Sequence, residues 1–225
     1  MSYYRSLIQI ALPINPVWNT LLNSYNFDGD AVDNKSGANG TLINSPSFVA
    51  GVVNDCVTLN TVDQVVNLPD DSFKFTDSFS ISFWYQFSGN GLQVPFSVLN
   101  SGGSQGFIIY HNAKKLSFQN YTGGVALDSG ATLMTSDQMN HIVYTREWGV
   151  GDKLYCNGVL FASNSNVNNP TISGTSLPCV GAYRDGVNSY SYRLGNKVDI
   201  LQSYDSCLTL LEIGELYNSG SGLQY

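Results

Sequence analysis

Residues His141–Ser163, HIVYTREWGVGDKLYCNGVLFAS, read as strand, loop, strand, tight turn, strand. Asn157-Gly158 decides this reading, because a two-residue type I′ turn needs positive φ at both central positions. Around that turn Cys156 faces Val159 and Leu154 faces Phe161, so pleat alternation puts these four residues on one side. Lys153, Tyr155, Leu160 and Ala162 take the opposite side. The arrangement fits an internal sheet of a two-layer β protein.

The same rhythm runs outward. In Phe79–Phe87 the residues Phe79, Ile81, Phe83, Tyr85 and Phe87 alternate with Ser80, Ser82, Trp84 and Gln86, which predicts a core strand with an aromatic inner face. Trp84, on the polar face, is either partly buried packing or a platform for a sugar. Ser24–Phe27, two stretches within Ser47–Leu68, Phe96–Leu99, Gly106–Tyr110, Leu116–Gln119 and Leu177–Tyr183 read as further short strands, separated by Gly, Asn and Ser turns. Near the end, Thr209-Leu-Leu-Glu212 is a capping box, with Leu208 and Ile213 placed for a hydrophobic staple. It predicts a helix of about two turns, ending near Leu216 or Tyr217 at the Asn218–Gly220 cluster. These signals together predict an all-β, two-sheet antiparallel jelly-roll sandwich of about a dozen strands with one short C-terminal helix.

Composition sets the outer limits. The chain has 225 residues, 43% of them hydrophobic, and no linker divides it, so one domain over residues 21–225 is expected. Residues 1–20 are either an arm that docks on a larger assembly or a strap on the domain's own sheet. Pro13 and Pro16 disfavour a helix there. Charged residues make up only 12%, and 14 Tyr and 11 Phe suit half-buried pleated surfaces. The net charge is −7, and ten Lys and Arg lie scattered without a basic stripe, which argues against nucleic acid. No run of 18 apolar residues exists, so no membrane helix is expected, and Gln9 and Pro13 break the N-terminal apolar patch that a secretory signal would need. Cys56, Cys156, Cys179 and Cys207 form no CxxC pair and have no nearby His, which disfavours zinc and favours four reduced thiols over a disulfide framework.

Several segments resemble laminin-G-like jelly rolls of the concanavalin A-like lectin/glucanase superfamily. HIVYTRE followed by KLYCNGVLFAS is similar to their central signature, Leu22–Gly40 (LNSYNFDGDAVDNKSGANG) to their opening segment, Phe75–Phe87 to their core strand, and Gly195–Gly220 to their closing segment. The resemblance spans residues 21–220 and implies the fold more than any ligand.

Catalytic signals are sparse. Retaining glycosidases hold two carboxylates about 5–5.5 Å apart, and in similar enzymes these alternate along one strand. Here Glu147 has no such partner, Glu212 and Glu215 fall on the closing helix, and Asp70-Asp71 would point to opposite faces. His111 and His141 lack a triad context, and no GxSxG elbow is present. The expectation is no enzyme and no catalytic residue. Asp28, Asp30 and Asp33 lie on an Asp28–Gly40 loop rich in turn formers; turn chemistry alone accounts for them, and hard oxygens on a flexible loop also suit calcium. The resemblance implies an ion between that loop and the closing strand, giving Asp28, Asp33 and Asp199 as expected Ca²⁺ ligands. The apolar pair Val198 and Ile200 is expected on one face of Lys197–Leu201, with Asp199 turned away from it.

Two non-catalytic functions follow. The first is a bacteriophage virion protein (a fibre, decoration or tail component) at the virion surface, contacting other virion proteins, copies of itself or a cell-surface glycan. It rests on the resemblance, the short unmatched arm, the absent signal and a charge-poor Asn/Ser/Gly/Tyr-rich surface. The second is a secreted or cell-surface carbohydrate-binding lectin module, in which Asn34, Asn39 and Asn120 head N-x-S/T sequons. A glycan-active enzyme comes third. Tyr183–Tyr192, YRDGVNSYSY, around an Asp-Gly turn, has the residue mix of adaptable recognition loops.

Overall fold

A computed structural model describes residues 16–60, 63–122, 124–130, 134–165, 167–192 and 197–225. The strands are, in chain order, β1 (Leu21–Tyr25), β2 (Thr41–Ile43), β3 (Ser47–Ala50), β4 (Asp55–Thr58), β5 (Val65–Asn67) and β6 (Phe79–Gln86). The second run is β7 (Gln93–Asn100), β8 (Gly106–Asn112), β9 (Lys115–Asn120), β10 (Val125–Asp128), β11 (Asn140–Glu147) and β12 (Gly151–Cys156). It is followed by β13 (Val159–Asn164), β14 (Ser176–Val180), β15 (Tyr183–Gly186), β16 (Ser189–Ser191), β17 (Lys197–Tyr204) and the helix α1 (Leu210–Tyr217). These strands outnumber the expected dozen because several edge strands are only three or four residues long.

The first sheet runs β13-β12-β11-β6-β17-β4-β3, with β1 also on β17; the second runs β10-β9-β8-β7-β14-β5-β2. All pairings are antiparallel, and β15-β16 forms a separate ribbon. Inner faces meet in an aromatic core: Phe79, Ile81, Phe83 and Tyr85 of β6 are fully buried, as alternation predicts. Phe118 stacks on Tyr144 across the layers at 3.8 Å between centroids. Full burial of one such side chain contributes on the order of 1.5–3 kcal/mol.

The other parity of β6 is buried as well. Ser80, Ser82 and Trp84 lie beneath a third layer, in which Ile213 and Leu216 of α1 and Val17, just ahead of β1, pack on Val143, Tyr155 and Tyr204. Trp84 is therefore no sugar platform: it packs on His141 at 5.0 Å and Tyr217 at 5.8 Å. Residues 1–15 of the expected arm lie outside the described residues.

The decisive hairpin forms as read. Asn157 and Gly158 have φ of 50° and 78°, and Cys156 pairs with Val159. One step further a β-bulge intervenes, so Leu154 faces Ala162 and not Phe161. The extra residue restores the core-facing parity of the strand only after the bulge. β13 is the edge strand of its sheet, with Val159 and Leu160 exposed. A second bulge, between Asp199 and Gln202 of β17, corrects another expectation: Val198 and Leu201, not Val198 and Ile200, face the main core. At that bulge Ile200 adopts φ 46°, rare for a β-branched residue.

α1 carries both halves of the capping box: the Glu212 amide donates to Thr209 Oγ1, and the Thr209 amide donates to the Glu212 carboxylate. Leu208 and Ile213 share one buried cluster, and Asn218 closes the helix in the left-handed region. All four cysteines are unbridged, three of them buried.

Candidate functional site: a tyrosine-lined cleft on the second sheet

Strand parity builds the site. Phe107 and Ile109 of β8 and Leu116 and Phe118 of β9 face the core, so Ile108, Tyr110 and Asn112, with Ser117 and Gln119, face outward. A register shift between Gln93 and Phe96 puts Val94 outside too, where it joins Leu99 and Ile108 in a small apolar cluster beneath Tyr110, Tyr121 and Tyr183.

The β15-β16 ribbon folds over β7 and forms one wall. Ser97 Oγ donates to the Ala182 carbonyl at 2.7 Å, the Val94 amide donates to the Tyr192 carbonyl at 3.1 Å, and Tyr183 Oη donates to the Gly103 carbonyl at 2.8 Å. The ribbon turns at Val187-Asn188, since Gly186 pairs with Ser189, so the Asp-Gly pair precedes the turn. Edge contacts chain Tyr121 to Tyr183 at 5.8 Å and Tyr183 to Tyr192 at 6.2 Å. Burial, with the neighbouring Tyr183 next, pushes the Tyr121 phenol above its ordinary range, so it stays neutral and able to donate.

The result is a cleft of about 310 Å³ lined by Leu92, Ile108, Tyr110, Asn112, Gln119, Tyr121 and Tyr192. Among the described residues no charged side chain lines it. A concave apolar floor with a few polar groups is the usual form of a small-molecule site, and tyrosines supply rigid surface that is apolar and hydrogen-bonding at once. Within the loop expected to serve recognition, Tyr192 reaches the cleft. Tyr110, Gln119 and Tyr121 were missed; their outward parity beside core-facing neighbours was the available signal.

The expected calcium ligands do not assemble into one set. Asp33 is buried and fully engaged: Oδ1 accepts from the amides of Ser24, Lys35 and Ser36, and Oδ2 from Asn23 Nδ2 and Ser36 Oγ. Burial alone would raise its pKa, but bonds from Ser36, Asn23 and the backbone outweigh that and hold it low. It folds the opening loop and has no lone pair left for an ion. Asp28 accepts from the Asp55 amide, Asn54 Nδ2 and Gln224 Nε2.

Asp199 is fully buried, with Oδ2 accepting from the Val52 amide at 2.7 Å and Oδ1 in hydrogen-bonding geometry with none of the described residues. Gly51 permits this approach, since a Cβ there would lie 2.4 Å from Asp199 Oδ2. Burial, aided by the charge of Asp28, raises the Asp199 carboxyl to about 7 against the backbone donors. Among the described residues no three His, Cys, Asp or Glu side chains gather closely enough to hold a metal.

Glu212 and the two histidines sit in structural roles. Glu212 is committed to the capping box. His141 contacts Ser82 at 2.8 Å but lies buried, and burial lowers it to about 3; His111 is likewise lowered to about 4. Asn120, one of the three sequon heads, is buried and donates to the Asn168 carbonyl at 2.6 Å.

Two stacked antiparallel sheets under one short closing helix define a jelly-roll sandwich. The chain belongs to the concanavalin A-like lectin/glucanases superfamily, whose laminin-G-type profile matches residues 60–214, more than half its length. No curated protein shows significant sequence similarity to it. Among solved structures it is similar to domain 4 of AbnA, an extracellular arabinanase from Geobacillus stearothermophilus, in complex with arabinotriose: TM-score 0.69, 18% identity, 87% of this chain and 97% of that one. It is also similar to the binding domain of Paraclostridial Mosquitocidal Protein 1, with TM-score 0.69, 19% identity and coverage of 91% and 53%. A third similar structure is the binding domain of botulinum neurotoxin DC in complex with SialylT, with TM-score 0.65, 14% identity and coverage of 90% and 52%. The chain thus spans about half of those toxin binding domains. No helix among the described residues is long and apolar enough to cross a membrane.

Proposed function

We propose that this chain is a non-catalytic carbohydrate-binding module that takes a glycan in the cleft between Tyr110, Tyr121 and Tyr192. The observation that carries the reading is the cleft itself: three tyrosines, the amides of Asn112 and Gln119, an apolar floor and, among the described residues, no charge. Sugars offer apolar ring faces edged by hydroxyls, and such walls match both. Structures of similar fold hold arabinotriose and SialylT, which supports a glycan over other small molecules.

Of the two non-catalytic readings, the lectin-type module is the better supported. A virion component of a phage is a proposal about where such a module is mounted, and an extracellular or surface setting serves both. Calcium on Asp28 and Asp199, without Asp33, is a further proposal, supported by the unpartnered buried Asp199 Oδ1.

Calorimetric titration with arabinotriose and a broad glycan array test the reading. Binding is expected for at least one glycan, and Tyr121→Ala and Tyr192→Ala are each expected to weaken it at least about tenfold, equivalent to about 1.4 kcal/mol. Glycan binding untouched by both substitutions would refute the cleft.

A further inference from the structure

We propose that the glycan is an internal segment of a neutral, linear polysaccharide, laid across two sub-clefts that meet at Tyr110. This rests on the reading of the cleft given above and adds its length and charge. A second depression of about 250 Å³ adjoins the first and is lined by Tyr110, Asn112, Ala113, Lys115, Ser117 and Asp128. Tyr110 and Asn112 line both, so the two form one groove and not separate sites.

The register of the sheet orders it. Ile108 pairs with Gln119, Tyr110 with Ser117, and Asn112 with Lys115, while Ser117 pairs onward with Asp128. The groove therefore descends β9 from Tyr121 to Lys115 and crosses towards β10. At about 3.4 Å per residue that stretch of β9 spans about 20 Å, room for several sugars in a row. Both depressions open along the sheet surface, so neither requires a chain end.

Charge narrows the class. Among the described residues the charged side chains lining both depressions are one cation, Lys115, and one anion, Asp128, while the chain as a whole carries −7. A polyuronate or sialylated chain would meet a single counter-charge beside an acid, on a protein of its own sign. A neutral chain loses nothing there, and Lys115, Ser117, Asn112 and Asp128 offer it donors and acceptors at one end as the tyrosines offer apolar faces at the other.

The test is a titration series with neutral arabino-, xylo- and cello-oligosaccharides from the disaccharide to the hexasaccharide, and oligogalacturonates as the anionic probe. For the neutral series that binds, affinity is expected to rise about tenfold or more between disaccharide and hexasaccharide. The pair Lys115→Ala with Asp128→Ala, the first partly buried and the second exposed, is expected to return the hexasaccharide to disaccharide affinity. Affinity flat with length and indifferent to that pair, while Tyr121→Ala still abolishes binding, would overturn the two-part groove and spare the cleft. Indifference to both Tyr121→Ala and Tyr192→Ala would overturn the cleft and this inference together. Oligogalacturonates binding more tightly than every neutral series would overturn the neutral class.

Discussion

Arg146 Nη1 donates to Asp152 Oδ1 at 2.6 Å, with the two side chains 0% and 2% exposed. They are cross-strand partners on β11 and β12, and they close one end of the aromatic core. Tyr144 Oη donates to the same carboxylate oxygen at 2.6 Å, while Arg146 Nη2 and Nε donate to Asn169 Oδ1. The network thus fixes the Asn-rich connection after β13 to the sheet.

Breaking that pair on one side is expected to be costly. Asp152→Ala leaves a buried guanidinium uncompensated and should destabilise by about 3–5 kcal/mol, measured by denaturant unfolding. Replacing both, Arg146→Met with Asp152→Leu, should cost much less than Asp152→Ala alone. Equal losses would mean the residues act by packing and not as a pair.

The pH dependence of stability is expected to carry the signature of Asp199. Its raised carboxyl holds a proton more tightly in the folded state than in the unfolded chain. The stability this confers is complete below an ordinary Asp pKa of about 3.9 and is lost as pH rises through about 7. The buried neutral His141 and His111 act oppositely, contributing above about pH 6.5 and losing their contribution on acidification. Comparing Asp199→Asn with the wild type cancels the histidines. The variant should gain stability relative to wild type as pH rises from about 4 to 8. In the same melts at pH 8, calcium held by Asp28 and Asp199 should raise the wild-type midpoint and leave the variant unmoved. Identical wild-type melts in calcium and in EDTA would remove the ion and leave the pH effect standing.

Two hairpins allow a test of turn chemistry. At Gly158 a Cβ would meet nothing nearer than Tyr217 at 3.5 Å, so Gly158→Val acts through its φ of 78° and should cost about 1–3 kcal/mol. The β8-β9 turn places Ala113 and Lys114 at φ 51° and 66°, a left-handed pair without glycine. Ala113→Asn with Lys114→Gly should stabilise by about 1 kcal/mol. A loss there would show that the Ala113 and Lys114 side chains contribute more than the turn strain costs.

Catalysis is expected to be absent. Purified protein should release no reducing sugar from arabinan, xylan or cellulose, and Glu147→Gln should leave glycan affinity unchanged. Hydrolysis that this substitution abolishes would place the chain among the glucanases of its superfamily.

Local chemistry made much of the fold legible. Asn157-Gly158 and the Thr209–Glu212 box specify their elements through contacts within a few residues and form as read, and the alternation of Phe79 to Phe87 marks its core-facing side as read, though not the burial of its other side. Arg146, too, shares the parity of Ile142 and Tyr144, so a buried charge needing a partner could have been anticipated. What alternation cannot reveal is a bulge. The extra residues near Leu154 and Asp199 shift the parity beyond them, and only the actual strand pairing imposes the shift. For the same reason the sequence could not say that α1 covers Trp84, that Asp33 is engaged by donors of β1 and of its own loop, or that Tyr110, Tyr121 and Tyr192 meet. Tyr192 lies far from β8 and β9 in the chain and reaches them through the ribbon laid over β7. The cleft is a property of how the strands are stacked, and that is decided only when the two sheets close on their common core.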